Sequence, residues 1–187
     1  MLNNNYNSLL LTVYKHDIHH IWMQEPKDQC GLLNTRRKME KPDYKYVFST
    51  DITPVEALDT ISRVTEWWAS DFEGSSQKLH DVFTVHFGEV LVTFRIVEVG
   101  TGKKISWLVT DCNLTWLKDI KEWKGTRIEW EVSSVNNSTQ ISMTHIGLVP
   151  GIECYNDCEK GWNFHIGTSL FKLITEGVGM PDISTRK

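Results

Sequence analysis

Apolar and polar residues alternate with a period of two over most of the chain after residue 43. The first such segment covers residues 44–50, where Tyr and Phe side chains alternate with Lys, Val and Ser. Residues 79–146 continue this pattern in five further segments, which turns rich in glycine or asparagine separate. Alternation of this kind predicts strands with one buried face. We therefore predict an antiparallel, six-stranded sheet in which the last five strands form a meander, and whose apolar face is covered by another layer.

Helical patterns flank these strands. Residues 53–56, Thr-Pro-Val-Glu, have the composition of a capped helix start, and a second helical turn is predicted around 65–68. A long C-terminal helix is predicted from about 158 to 176, with Asn156 as its cap and Gly177 as its stop. The fold class is therefore α+β, with a curved sheet wrapped around the last helix and two short helices after the first strand.

Composition excludes several classes of protein. Among 187 residues, 40% are hydrophobic and 24% are charged, which argues against wholesale disorder. The net charge of −4 provides no electrostatic surface for nucleic acid. The apolar run at 9–11 is too short for a signal peptide, and no stretch approaches the roughly 18 residues of a membrane span. We expect a cytoplasmic protein without a membrane span, with its four cysteines as thiols.

The first 38 residues differ from the rest of the chain. They are rich in asparagine, contain a histidine cluster and show no sustained period. We predict that residues 1–38 are an N-terminal extension, poorly ordered or of unknown role, and that residues 39–187 form the domain. One hypothesis is that Met39 is the natural start.

Sequence motifs within the patterned region resemble a known superfamily. They are Trp67-Trp68, residues 83–88, Trp107, Glu122-Trp123 with Gly125-Thr126, residues 144–148, Glu153-Cys154 and Gly161-Trp162. Together they resemble the START-like (SRPBCC) superfamily, in the subgroup similar to activators of the heat-shock-protein ATPase, over roughly residues 44–180. The resemblance implies the helix-grip fold and an apolar cavity between sheet and long helix. Members include lipid carriers, cyclases and chaperone cofactors, so the fold alone does not name the function.

The inward-facing positions of the predicted strands are unusually rich in aromatic residues for a chain of this size. Aromatic side chains around an apolar concavity hold small ligands by stacking and dispersion. We predict a module that binds an apolar or aromatic small molecule, lipid-like or polyketide-like, without a cofactor. The predicted cavity residues are Trp67, Phe83, Phe87, Trp107, Trp130, Met143, His145 and Trp162.

His145 is the most informative polar residue, because alternation places it on the same face as Ile141 and Met143. One interpretation is a structural histidine bonded to backbone near Gly147. The alternative, which the resemblance permits, is a cyclase- or aromatase-like enzyme with His145 as its proton-transfer group. His86 falls on the opposite face from its apolar neighbours, and we expect it to be solvated.

Two further hypotheses concern partners and metal. The subgroup resemblance implies a protein-interaction module with a chaperone partner. Cys154, Cys158 and His165 have spacings that could share a helical face, but they match no standard zinc signature. We therefore predict no metal site, and buried cysteines that act as small apolar side chains.

Overall fold

The computed structural model describes residues 41–183, so the predictions for residues 1–38 and for Met39 lie outside the described residues. The strands are β1 (Tyr44–Thr50), β2 (Phe72–Gly74), β3 (Val82–Phe87), β4 (Val90–Gly100), β5 (Lys104–Asn113), β6 (Arg127–Val135) and β7 (Ser138–Ile146). The helices are α1 (Pro54–Ser62), α2 (Val64–Trp67), α3 (Tyr155–Phe164) and α4 (Phe171–Glu176), and a π-helical segment (His165–Leu170) joins α3 to α4.

The strands form one antiparallel sheet in the order β1-β7-β6-β5-β4-β3-β2. Over residues 41–183 the sheet has seven strands, so the prediction of six strands was wrong. The strand that was not predicted is β2. This strand has three residues and ends at Gly74, which adopts a positive φ of 94°. A segment that short contains no alternation from which a strand could be predicted.

The extra strand also changes the surroundings of His86. Because β2 pairs with β3, it brings the Glu73 carboxylate to 3.4 Å from Nε2 of His86. The His86 side chain is only 11% exposed. The expectation that His86 is solvated was therefore wrong.

The start of α1 is confirmed, whereas the start of the C-terminal helix is not. The Thr53 hydroxyl accepts a bond from the Glu56 amide, and the Glu56 carboxylate accepts one from the Thr53 amide, at 3.3 and 2.8 Å. α3 begins at Tyr155 with Cys154 as N-cap, so Asn156 lies inside the helix instead of capping it. Gly177 ends α4 in the left-handed conformation, as predicted.

The helices α3 and α4 and the π-helical segment pack against the apolar face of the sheet. The Tyr44 hydroxyl donates to Oδ1 of Asn163 at 2.9 Å, and the rings of Phe48 and Phe171 lie 5.9 Å apart. The sheet face that they cover is the face that the alternation of apolar and polar residues predicts to be buried. Within residues 41–183, no helix combines the length and the apolar character that crossing a bilayer requires.

Candidate functional site

The centre of the domain is filled by aromatic rings that pack on one another. Trp67 lies edge-on to Trp130 with centroids 5.7 Å apart, and Trp130 is 5.9 Å from Trp107. Phe83 meets Trp107 edge-on at 5.2 Å. All four side chains are buried, as is Met143. Their mutual contacts occupy the space between sheet and helix at this level.

A pocket of about 230 Å³ opens at one end of this core. It lies between the β3–β4 turn, the loop that follows β5, and α3. The residues that line it are Trp68, Phe87, Val90, Val92, Leu114, Trp116, Trp123, Asp157, Cys158, Gly161, Trp162, His165 and Asp182. Of the eight residues predicted to line a cavity, Phe87 and Trp162 line this pocket. Trp67, Phe83, Trp107, Trp130, Met143 and His145 do not.

Two larger concavities, of about 390 and 440 Å³, lack this aromatic lining. Both lie beside α1, one against the β4–β5 turn and the other against α4. Among the described residues that line them, none is aromatic, and charged side chains such as Asp59 are present. The pocket at the end of the core is therefore the candidate for an aromatic ligand.

The loop 114–126, between β5 and β6, forms one wall of the pocket through Trp116 and Trp123. The Glu122 carboxylate fixes the loop to the start of α3 by accepting bonds from the amides of Glu153 and Cys154 at 2.8 and 2.9 Å. The Trp123 indole N–H donates to Sγ of Cys154 at 3.2 Å. These bonds hold the wall in position against the residues that lead into α3.

Polar groups reach the pocket from α3 and from the C-terminal segment. His165, the first residue of the π-helical segment, places Nε2 3.5 Å from Oδ2 of Asp182. Burial lowers the pKa of His165, and the Asp182 carboxylate opposes this shift only in part. The imidazole is therefore neutral at pH 7. π-Helical turns inside helices occur frequently at functional sites.

The C-terminal segment is tied to the core beside this pocket. The Ser169 hydroxyl donates to the Trp67 carbonyl and accepts from the Met180 amide, each at 2.6 Å. The Asp182 amide donates to the Trp68 carbonyl, and the Asp182 carbonyl accepts from the Ser70 amide, both at 2.9 Å. Backbone hydrogen bonds thus fix the main chain at Asp182.

His145 lies inside the core and both of its ring nitrogens are bonded. The Trp162 indole N–H can only donate, so Nδ1 of His145 accepts it, at 3.2 Å. The other nitrogen, Nε2, then carries the proton and donates to the Thr126 hydroxyl at 2.9 Å. That hydroxyl donates in turn to the Trp123 carbonyl at 2.7 Å. The chain fixes one tautomer, with side-chain partners instead of the backbone partners expected near Gly147.

The environment of His145 favours a structural role over proton transfer. Burial lowers its pKa from the ordinary 6.5 to about 3, so the ring is neutral at pH 7. Its two nitrogens are occupied, and the residue does not line the pocket. A general acid must come within hydrogen-bonding distance of the group it protonates. The imidazole that a ligand in the pocket would meet is His165.

The described residues contain no group of three or more His, Cys, Asp or Glu that could hold a metal ion. Cys154 and Cys158 are both buried thiols, and Cys158 lines the pocket. Burial and the neighbouring thiol of Cys158 raise the pKa of Cys154, which keeps it protonated.

Sequence reasoning did not assign Trp68, Trp116 and Trp123 to the site. Trp116 and Trp123 lie in a loop without periodicity, so no buried face could be read from the pattern. Their concentration in a loop was the available signal, because indole rings in irregular segments often pack on a neighbouring element.

Comparisons with known proteins identify the fold. No family model matches the chain, and no curated protein matches its sequence. The Aha1 dimer from Colwellia psychrerythraea is similar at a TM-score of 0.61 and 17% identity, over 73% of this chain and 98% of that one. SSP2350 from Staphylococcus saprophyticus is similar at 0.55 and 12%, over 75% and 98%. DynU16, from the dynemicin biosynthetic locus, is similar at 0.52 and 13%, over 72% of this chain and 48% of that one. These likenesses confirm the predicted fold: the chain has the helix-grip fold.

Proposed function

We propose that the domain binds a small apolar or aromatic molecule in the pocket at the end of the core. One observation carries the proposal: five aromatic side chains converge on a single concave site that is open to solvent. They are Trp68, Phe87, Trp116, Trp123 and Trp162. Apolar concavities with few polar groups are typical of small-ligand sites.

The size of the pocket indicates the size of the ligand. An apolar protein cavity of about 150 Å³ suffices to bind benzene. A pocket of about 230 Å³ suits a molecule of one or two rings, or a short acyl chain. Among the predicted ligand types, a compact aromatic molecule therefore fits better than a long lipid.

The pocket walls are held in place by contacts among their own rings. Trp123 stacks on Trp162 with ring planes 9° apart, and Trp162 packs on Trp68 at 4.8 Å. Ordering such rings on binding would cost conformational entropy, and preorganisation removes that cost. This rigidity supports a binding role for the aromatic surface.

Gly161 offers a direct test, because it lines the pocket and a Cβ at this position meets no atom within 4 Å. Gly161→Leu places an isobutyl group on the pocket wall without a clash at Cβ. The matched control is Asn156→Leu, which adds the same side chain at an exposed position of α3 that does not line the pocket.

The probe is 1-naphthylamine, a two-ring molecule that is neutral at pH 7.5 and whose emission shifts to shorter wavelength in apolar surroundings. We expect saturable binding to the wild type and to Asn156→Leu, and loss of binding in Gly161→Leu. The plugged variant should stay folded, because removing a helical glycine stabilises a helix by up to about 1 kcal/mol. Absence of saturable binding, or equal binding by Gly161→Leu, would contradict the proposal.

A chaperone partner is the second candidate function. It is supported by the likeness to the Aha1 structure, which this chain matches over 98% of that chain's length. The test is the steady-state rate of ATP hydrolysis by the cognate heat-shock ATPase, with and without an excess of the domain. We expect a higher rate with the domain, and an unchanged rate at saturating domain would exclude this function.

A cyclase- or aromatase-like activity is the enzymatic alternative for the same pocket. His165 is then the residue to test, since it lines the pocket whereas His145 does not. Turnover should be lost in His165→Gln and retained in a folded His145→Gln. Equal turnover by wild type and His165→Gln would eliminate this assignment.

A further inference from the structure

The charged side chains that line the pocket are all acidic. Asp157 lies on the first turn of α3, and Asp182 lies near the C-terminal end of the described chain. None of the described lining residues is Lys or Arg. Lys160 approaches Asp157 at 3.5 Å, but both side chains are more than 70% exposed, and such ion pairs are weak in solvent. The pocket therefore presents uncompensated negative charge.

His165 does not neutralise this charge. It is the one histidine among the described lining residues, and its Nε2 faces the Asp182 carboxylate. Desolvation outweighs the attraction of that carboxylate, so the ring is neutral at pH 7. His165 therefore places no positive charge beside the Asp182 carboxylate.

The aromatic walls add a second attraction for positive charge. The faces of indole rings carry negative potential and attract ammonium groups within about 6 Å of the ring centroid. Trp68 and Trp162 have centroids 4.8 Å apart, and Trp123 stacks on Trp162 at 6.0 Å. Trp116 is half-exposed at the mouth. These indole rings line the same pocket as the two carboxylates.

We propose that this pocket selects organic cations, namely amines whose apolar or aromatic body fills the aromatic part while the ammonium group faces Asp157 and Asp182. This inference rests on the proposed ligand-binding function and names its ligand class. Neutral molecules of the same shape bind more weakly, because they gain only the apolar contacts. Carboxylate ligands such as fatty acids are repelled by the two aspartates.

Three probes of similar shape and different charge test the selectivity. They are 2-phenylethylamine, 2-phenylethanol and 3-phenylpropanoate, each titrated at pH 7.5 and followed by displacement of 1-naphthylamine and by the indole N–H signals in NMR spectra. We expect the amine to bind about tenfold more tightly than the alcohol, and the carboxylate more weakly than both. Added salt should weaken amine binding and leave alcohol binding unchanged.

Variants locate the selectivity at the acidic side chains. Asp182→Asn and Asp157→Asn should each reduce affinity for the amine several-fold while leaving that for the alcohol unchanged. Asp59→Asn is the matched control, since it removes an exposed carboxylate that does not line this pocket. Equal affinity for amine and alcohol, or amine binding that both pocket variants leave intact, would overturn the cation preference while the binding function stands. If neither the naphthylamine probe nor any of the three ligands binds, both proposals fail.

Discussion

The buried imidazole of His145 makes the stability of the fold depend on pH below neutrality. The folded state holds this ring neutral with a pKa of about 3, whereas the unfolded chain titrates near 6.5. Between these values the unfolded state binds one more proton, so the free energy of unfolding falls by about 1.4 kcal/mol for each unit of decreasing pH. From pH 6.5 to 4.5 the expected loss is about 2 kcal/mol, because the unfolded ring is only half protonated at pH 6.5, and above pH 7 this group has almost no effect.

The contribution of His145 is isolated by comparison with His145→Gln, which has an amide that does not titrate in this range. Urea unfolding, followed by tryptophan fluorescence, is measured for both proteins at several pH values from 7.5 to 4.5. His145→Gln is expected to be less stable at pH 7.5 by about 1–3 kcal/mol, because the glutamine amide replaces the bonds to Trp162 and Thr126 imperfectly. Its stability should also fall less steeply with decreasing pH than that of the wild type.

The other titratable groups are the same in both proteins, so they cancel in the difference between the two pH curves. The reasoning is refuted if the two curves run parallel between pH 6.5 and 4.5. That result would mean that His145 is protonated in the folded state at these pH values.

Three substitutions test contacts that hold the fold and the pocket. Thr53→Ala removes the cap of α1 and should lower the free energy of unfolding by about 1 kcal/mol in urea titrations. An unchanged midpoint would mean that the capping box does not stabilise the fold. Ser169→Ala breaks the bridge between the Trp67 carbonyl and the Met180 amide. We expect the free energy of unfolding to fall by about 1–3 kcal/mol and the C-terminal segment to be cleaved faster by protease. A cleavage rate equal to that of the wild type would show that the segment is held by other contacts. Glu122→Gln weakens two charge-assisted bonds at the start of α3. We expect the free energy of unfolding to fall by about 1–2 kcal/mol and the tryptophan emission to shift as the loop loosens. An unaltered spectrum and stability would argue against an anchoring role for Glu122.

The sheet could be predicted from the sequence because a half-buried strand has a simple signature. In β6, Ile128 and Trp130 face the core while Arg127 and Glu129 face outward, and this alternation is visible in the chain itself. β2 has three residues, so its pairing with β3 follows from the tertiary arrangement. The start of α3 was misplaced for a related reason, since the amides of Glu153 and Cys154 that lead into it are bonded by Glu122, more than thirty residues earlier in the chain.

The candidate site could be predicted only in part, because alternation tells which side chains point inward and not what they meet. Phe83 and Phe87 share one face of β3, yet Phe83 is covered by Trp107 while Phe87 lies at the pocket. The difference arises from the elements packed above them. The position of the loop 114–126, which completes the pocket, depends on contacts with α3 that no local pattern encodes.

Gly161 links the sequence to the pocket most directly. A glycine inside a helix costs about 1 kcal/mol relative to alanine, and it is usually explained by a positive φ or a close approach of backbone. Gly161 lies in the middle of α3 without a positive φ, and a Cβ there would meet no atom within 4 Å. Neither explanation applies. Because Gly161 has no side chain, the space beside Trp162, Cys158 and the loop 114–126 stays open. The glycine therefore keeps the pocket accessible, although it lowers the stability of the helix.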